Sequence, residues 1–346
     1  MKLPVTHRGM IQTALGAVFY LISDGRSATD TAANEHRRPP VLCFHMSPRS
    51  SDEFSEVLPL LASGGAGAGS SNEGGRAVIA FDIPGYGASE NPPRSCTIDE
   101  LSDACLQAAD SILERGAALA TSASDDATTT DQNQHQRGHD YVAIGSLLGN
   151  YFCLSLAARH PGAIRAGILA NPWFNPGARG MTASGGNGSI PDSFVLEDDG
   201  SHLAGLHAKR STWLDNELNL RVVRSEIEYL SNRRVRYAKG ISIEGGNDYN
   251  FVAAVERIHR NKESGDDEKG RPCRFLCLKG AACATLFDAF GLDGTERFEQ
   301  ACRMFGSNGG LEVVTLGGER STLNLVNQMP EEFAAACNEF LSGHGL

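Results

Sequence analysis

The apolar run Tyr141 to Ile144 passes through Gly145-Ser146-Leu147-Leu148-Gly149 straight into a helical stretch, Asn150 to Arg159, which His160-Pro161 ends. A strand that turns into a helix with no loop between them needs a parallel neighbour reached by a crossover, and small residues where the turn closes. The rest of the chain repeats the pattern. Val41 to Phe44, closed by His45-Met46-Ser47-Pro48, and Ala77 to Phe81, closed by Asp82-Ile83-Pro84-Gly85, read as buried strands, because both are continuous apolar runs. Between them Phe54, Val57, Leu58 and Leu61 recur at helical spacing over Asp52 to Ala62. Thr97 with Glu100 three residues on forms a capping box that starts a helix running to about Leu119. Ala166 to Ala170, Phe275 to Leu278 and Leu311 to Leu316 supply further strands, and Glu331 to Leu341 a closing helix with Phe333, Cys337, Phe340 and Leu341 on one face. Strands alternating with helices predict an α/β chain with a doubly wound, mostly parallel sheet.

Two stretches lack any periodicity. The Gly/Ser-rich segment 63–75 and the polar tract 121–138 read as flexible inserts in a single domain spanning 1–346. From about 171 to 261 the pattern changes to a Gly-rich loop and charge-rich helical stretches such as Leu218 to Lys239, the place for a helical insertion over the sheet. The N-terminal run Met10 to Ile22 follows Lys2, His7 and Arg8 as a secretory core would. Gln12, Thr13 and Gly16 interrupt it, however, and it reads as a strand–turn–strand ending at Ser23-Asp24-Gly25. No run reaches the roughly 18 apolar residues that a membrane-spanning helix requires.

A net charge of −11 argues against nucleic acid or an anionic membrane as partner, since both demand a basic face. A small molecule or a protein partner fits better. The nine cysteines lack paired CxxC spacing, and Cys43, Cys153 and Cys277 sit within apolar runs, so they read as reduced core residues and the expected location is the cytoplasm. No metal or cofactor is expected. His202 and His207 lie five apart and off a common helical face, and Asp198-Asp199-Gly200-Ser201 is a turn entering a helix, without the alternating acids of a calcium loop.

Four landmarks in order, FHMSPRSSDEF, FDIPGYGAS, IGSLLGNYFCLSLAARHP and LGGERSTLNLVNQMPEEF, resemble the α/β-hydrolase superfamily from Val41 to Leu341. HMSPRSSDEF and DDGSHLAGLHAKR are further similar to a bacterial-type subgroup in which the elbow carries a residue other than serine. The resemblance implies a G-x-S-x-G nucleophile elbow, a capped pocket, an acid after the strand Phe275 to Leu278 and a histidine base after the last strand. Gly145 and Gly149 occupy the elbow glycines, which puts Leu147, a side chain with no lone pair and no proton to give, in the nucleophile place. Ala282 stands in the loop where the acid is expected, with Asp288 the first carboxylate beyond it, and Gly317-Gly318-Glu319-Arg320 puts Arg320 in the place of the base. An arginine holds its proton at neutral pH.

The resemblance further implies an oxyanion hole from the backbone N–H groups of Leu148 and Ser47, so Ser47, Leu147 and Leu148 are the candidate ligand-binding residues. Three readings stay open. The first is a non-catalytic homologue that binds a small molecule or partner in a capped pocket. The second is a hydrolase or lyase using unorthodox residues, namely Ser146, His45 or Asp82, on an ester or other carbonyl substrate. The third is a scaffold recognised through its acidic surface. His45 and Asp82 read first as turn-fixing groups and Arg49 as a loop-bracing or solvated cation near the mouth, while His202, His207 and Trp213 read as packed or surface residues of the insertion.

Overall fold

The structure is a computed structural model that describes residues 3–26, 38–64, 75–94, 96–122, 140–172, 174, 197–210, 216–231, 249–263, 273–283, 294–304, 311–318 and 321–346. Of the two inserts expected from composition, 65–74 and 123–138 lie outside these residues, as does the glycine-rich loop 177–188.

Eight strands form one sheet in the order β1-β2-β4-β3-β5-β6-β7-β8. They are β1 (Thr6–Thr13), β2 (Gly16–Asp24), β3 (Val41–Phe44), β4 (Ala77–Phe81), β5 (Tyr141–Ser146), β6 (Ile164–Ala170), β7 (Arg274–Gly280) and β8 (Leu311–Leu316). Only β2 runs against its neighbours: it pairs antiparallel with β1 and β4, and every other pairing is parallel. β1 and β2 are the hairpin expected at Met10 to Ile22, with Thr13 paired to Gly16 across the turn.

The continuous apolar runs are explained by what covers them. β3, β4 and β5 lie mid-sheet and are buried along their whole lengths, so both faces of each strand must be hydrophobic. Leu42, Phe44, Ile79, Phe81, Tyr141 and Ala143 face one side, together with helices α2 (Ile98–Ser122), α3 (Gly149–Arg159), α6 (Phe251–Glu263) and α7 (Gly294–Met304). Val41, Cys43, Val78, Ala80, Val142 and Ile144 face the other, against α1 (Val57–Ala62), the short α8 (Leu325–Gln328) and α9 (Pro330–Gly343). Phe44 stacks on Phe81 and Phe152 at ring-centroid distances of 5.9 and 5.4 Å, which locks the centre of the sheet to α3.

The capping box at α2 forms as expected, with the Thr97 N–H donating to Glu100 Oε2 at 2.9 Å and the Glu100 N–H to Thr97 Oγ1 at 3.2 Å. The helix expected over Asp52 to Ala62 is shorter. It divides into a 3-10 turn, Ser51–Phe54, whose first N–H is taken by Asp82, and α1.

Within the stretch 171–261 the structure shows α4 (Ser201–Arg210), α5 (Asn216–Ser231) and α6. The first two pack on each other, and α5 reaches the loop after β3: Arg221 Nη1 donates to Ser55 Oγ at 3.0 Å and the same guanidinium pairs with Glu56. α6 belongs instead to the main body, its Phe251 stacked on Phe174 at 4.9 Å and Ala254 and Val255 buried with α3, so the expected insertion ends before it. The charge-rich composition of this region hid that apolar face.

Candidate functional site

At the end of β5 the chain makes a turn that few sequences tolerate. Leu147 has a φ of 46°, the left-handed region in which a leucine is strained, by an amount on the order of 1 kcal/mol. The flanking glycines are there for space. A Cβ on Gly149 would lie 1.9 Å from the Phe44 carbonyl oxygen, and one on Gly145 would lie 2.4 Å from the Gly149 carbonyl. The turn is held by the Leu147 N–H donating to the Ala170 carbonyl at 3.2 Å and by Asn150 Nδ2 donating to the same oxygen at 3.0 Å. This geometry lifts Leu147 from the strand's end, where it packs with Met46, Cys283 and Leu323 in a small apolar cluster separate from both faces of the sheet.

Of the positions expected to serve a triad, the acid place lies beside that cluster and carries no carboxylate. Ala282 lies in the 3-10 turn Ala281–Cys283 after β7, its N–H donating to Ser321 Oγ at 3.1 Å, while Ser321 donates to the Gly318 carbonyl at 2.5 Å. Arg320 lies outside the described residues. The Cys283 thiol points into the apolar cluster, and burial pushes it up to about 12, far from a thiolate at neutral pH.

The candidate oxyanion donors stand at the rim of the turn. Among the described residues, the N–H groups of Ser47 and Leu148 donate to no carbonyl or side chain. Ser47 is held from its side chain by the Tyr86 hydroxyl at 3.1 Å. Two free, backbone-fixed donors on neighbouring loops suit a ligand oxygen.

Each unorthodox residue is otherwise engaged. His45 is fully buried: Nδ1 donates to the Met46 carbonyl at 2.7 Å, Nε2 accepts the Ile83 N–H at 3.1 Å, and the ring stands edge-on to Tyr86. Both nitrogens are used in the neutral tautomer, and burial pushes its pKa down to about 3. Asp82 accepts the Ser51 N–H on Oδ1 and the Ala88 N–H on Oδ2, each at 2.7 Å, clasping the turn after β4 to the loop after β3. Ser146 is buried at the end of β5, and strand alternation puts its side chain on the sheet face of Val142 and Ile144. Arg49 is buried, so of its two readings the loop-bracing one holds and the solvated one does not: its Nη1 donates to Asn324 Oδ1 at 3.1 Å.

His202 accepts the Glu197 N–H at 2.9 Å on α4, His207 is half-buried on the same helix, and Trp213 lies outside the described residues. Asp199 Oδ1 accepts the Ser201 N–H at 2.9 Å, the helix-entry turn expected there. No group of three His, Cys, Asp or Glu side chains among the described residues is placed to hold a metal ion. No described helix is long and apolar enough to cross a membrane.

Sequence reasoning missed Asn171 and Glu53. Asn171 follows β6 with a φ of 44°, and its side chain accepts the Gly280 N–H at 2.9 Å and donates to the Thr322 carbonyl at 3.0 Å, tying the ends of β6 and β7 to the loop after β8. The available signal was an Asn at a strand end, a residue that tolerates left-handed backbone better than most. For Glu53 the sequence gives no sign of burial, because that depends on the segments that enclose its loop, Asn327 among them.

The geometry agrees with comparisons to known proteins. A sequence profile described as the alpha/beta hydrolase fold matches residues 39–340. A thermophilic esterase from Thermogutta terrifontis, solved with malate bound, superposes with a TM-score of 0.61 at 14% identity, covering 98% of this chain and 100% of that one. A hydrolase from Pseudomonas aeruginosa gives 0.57 at 18% identity over 97% and 98% of the two chains. An enol-lactonase from Burkholderia xenovorans gives 0.57 at 15% over 96% and 100%. No curated protein matches the chain by sequence. At such identities the likeness is one of fold, and the profile match carries the assignment: this chain belongs to the α/β-hydrolase family.

Proposed function

We propose that this chain is a member of the family without a working triad, which binds a small carbonyl compound in a pocket capped by α4 and α5 and does not hydrolyse it. The observation that carries the reading is Leu147 on the strained elbow, the backbone of a nucleophile turn presenting an aliphatic side chain. Ala282 at the acid position and Arg320 at the base position support it, because an alanine accepts no proton and a guanidinium releases none near neutrality. The free N–H groups of Ser47 and Leu148 supply polar recognition for a carbonyl or carboxylate oxygen, and Met46, Leu147, Cys283 and Leu323 the apolar contact beside it. Catalysis by Ser146, His45 or Asp82 is disfavoured, since each spends its polar atoms on a structural partner or faces away from the donors. No disulfide joins the nine cysteines, which suits a reducing compartment such as the cytoplasm.

The test is turnover of p-nitrophenyl acetate beside calorimetric binding of methyl octanoate. The wild-type protein is expected to bind the ester and to leave p-nitrophenyl acetate at its uncatalysed rate. Leu147→Ser alone is expected to stay near that rate, because a serine hydroxyl without a base is a weak nucleophile. Adding Ala282→Asp and Arg320→His is expected to give a small measurable gain. Robust wild-type turnover abolished by Ser146→Ala would overturn the reading.

A further inference from the structure

Where the ladder between β6 and β7 stops, one side chain takes over from it. The last paired residues are Ala170 and Leu278, and the next residue, Asn171, is buried with a φ of 44°. Its N–H donates to the Leu278 carbonyl at 2.8 Å, which finishes the ladder. Its Oδ1 then accepts the Gly280 N–H at 2.9 Å, and its Nδ2 donates to the Thr322 carbonyl at 3.0 Å and to the Leu323 carbonyl at 3.4 Å.

Those partners stand at the root of one loop and within another, and both loops bring apolar side chains to the elbow. Gly280 is three residues before Cys283, and Leu323 packs on the cluster of Met46, Leu147 and Cys283. The elbow is anchored one residue before Asn171, since the Ala170 carbonyl accepts both the Leu147 N–H and Asn150 Nδ2. Residues 170 and 171 therefore hold the elbow on one side and both loops on the other. The two loops also meet each other: the Ala282 N–H donates to Ser321 Oγ, and a Cβ on Gly280 would lie 2.0 Å from the Ser321 carbonyl oxygen. The loop after β8 has a further hold at Asn324, from Arg49.

Two demands meet at this position. A left-handed φ is easy for glycine, tolerable for asparagine or aspartate, and strained for most other residues. Bonding an N–H and a carbonyl at once requires a side chain with both an acceptor and a donor, which glycine lacks and an ionised aspartate meets only by half. Asparagine satisfies both.

We propose that Asn171 is a positioning residue that sets the apolar side of the pocket, holding Cys283 and Leu323 in place against Leu147 and so fixing how much of a ligand's acyl chain that side covers. The acyl chain comes from the ligand reading above, on which this part rests, whereas the clamp exists in the ligand-free protein.

The experiment compares wild type with Asn171→Gly, which accepts the φ and deletes the amide, and with Asn171→Asp, which keeps an acceptor for Gly280 and sets a carboxylate oxygen against the Thr322 and Leu323 carbonyls. In the ligand-free proteins, NOEs that join the Leu323 methyls to the rest of the cluster are expected to weaken in both variants. Those from the Cys283 β-protons are expected to weaken in Asn171→Gly and to return in Asn171→Asp. Should Asn171→Gly fail to fold, Asn171→Asp still cuts the hold on Leu323. Leu323 NOEs at wild-type strength in either folded variant overturn the clamp.

Calorimetric binding of methyl octanoate and methyl butanoate is the second readout. In Asn171→Gly the octanoate is expected to bind about tenfold more weakly, the worth of roughly two buried methylene groups, and the butanoate about threefold more weakly or less. A loss of stability alone would weaken both esters by one factor, so an unchanged ratio overturns the positioning role and leaves the ligand reading standing. If neither ester binds wild type the ligand reading falls, and the NOEs still judge the clamp.

Discussion

Above, at the elbow, Leu147 meets Met46, Cys283 and Leu323, where the family keeps its nucleophile; below, on the loop after β3, the buried Glu53 accepts the Met46 N–H, with Arg49 held by Asn324 and the Glu53 carbonyl by Asn327. The upper side, among the described residues, is lined by apolar side chains beside backbone donors. The lower side is as polar as a catalytic centre, yet it is sealed from solvent and its groups hold loops in place. Titratable groups near an active-site fold are therefore weak evidence of catalysis unless they face the place where substrate would sit.

The comparison can be broken by cutting each side in turn. Glu53→Ala is expected to cost the most, about 3 kcal/mol in urea unfolding, because it strips the buried Met46 N–H of its acceptor and leaves a void where the side chain was. The pH dependence of the same region comes next. His45 is neutral when folded, with its pKa lowered from 6.5 to about 3, so the unfolded chain takes up a proton that the folded one refuses. That contribution to stability is complete above pH 6.5 and is lost as pH falls from there toward 3, with about 2 kcal/mol gone by pH 5. Urea titrations of wild type and His45→Asn at both pH values read it, and equal slopes in the two proteins would refute the assignment. Leu147→Ala is expected to cost the least, about 1–2 kcal/mol, below the usual 2–5 for a buried leucine because its cluster is small and stands apart from the main cores. Equal losses for Leu147→Ala and Glu53→Ala would erase the contrast between the two sides.

Much of the upper side was legible in the chain. Gly145 and Gly149 at fixed spacing around Leu147, after an apolar run and before a helix, placed the elbow, and the left-handed φ at Leu147 bears that out. Capping at Thr97 and Glu100 was legible for the same reason, since both partners lie within one turn. The helix Gly294–Met304 went unseen: its charged residues outweigh the few apolar ones, and Phe298, Ala301 and Cys302 show as a buried face only once the sheet is there to cover them. Arg49 could be read as loop-bracing or as solvated, and only the packing of β3, the 3-10 turn and the loop before α8 decided for burial.

The sequence by itself determined most of the order of strands and helices, the elbow and the residue standing on it, because those depend on local periodicity and on sterics within a few residues. The tertiary structure decided which polar groups remain free. Whether His45 or Asp82 can act on a ligand depends largely on partners tens of residues away, and hydrogen bonds to Ile83 and Ser51, with a nearer one to Ala88, had already taken them. A buried donor or acceptor must be satisfied by whatever the fold brings near, and no local pattern in the chain states what that will be.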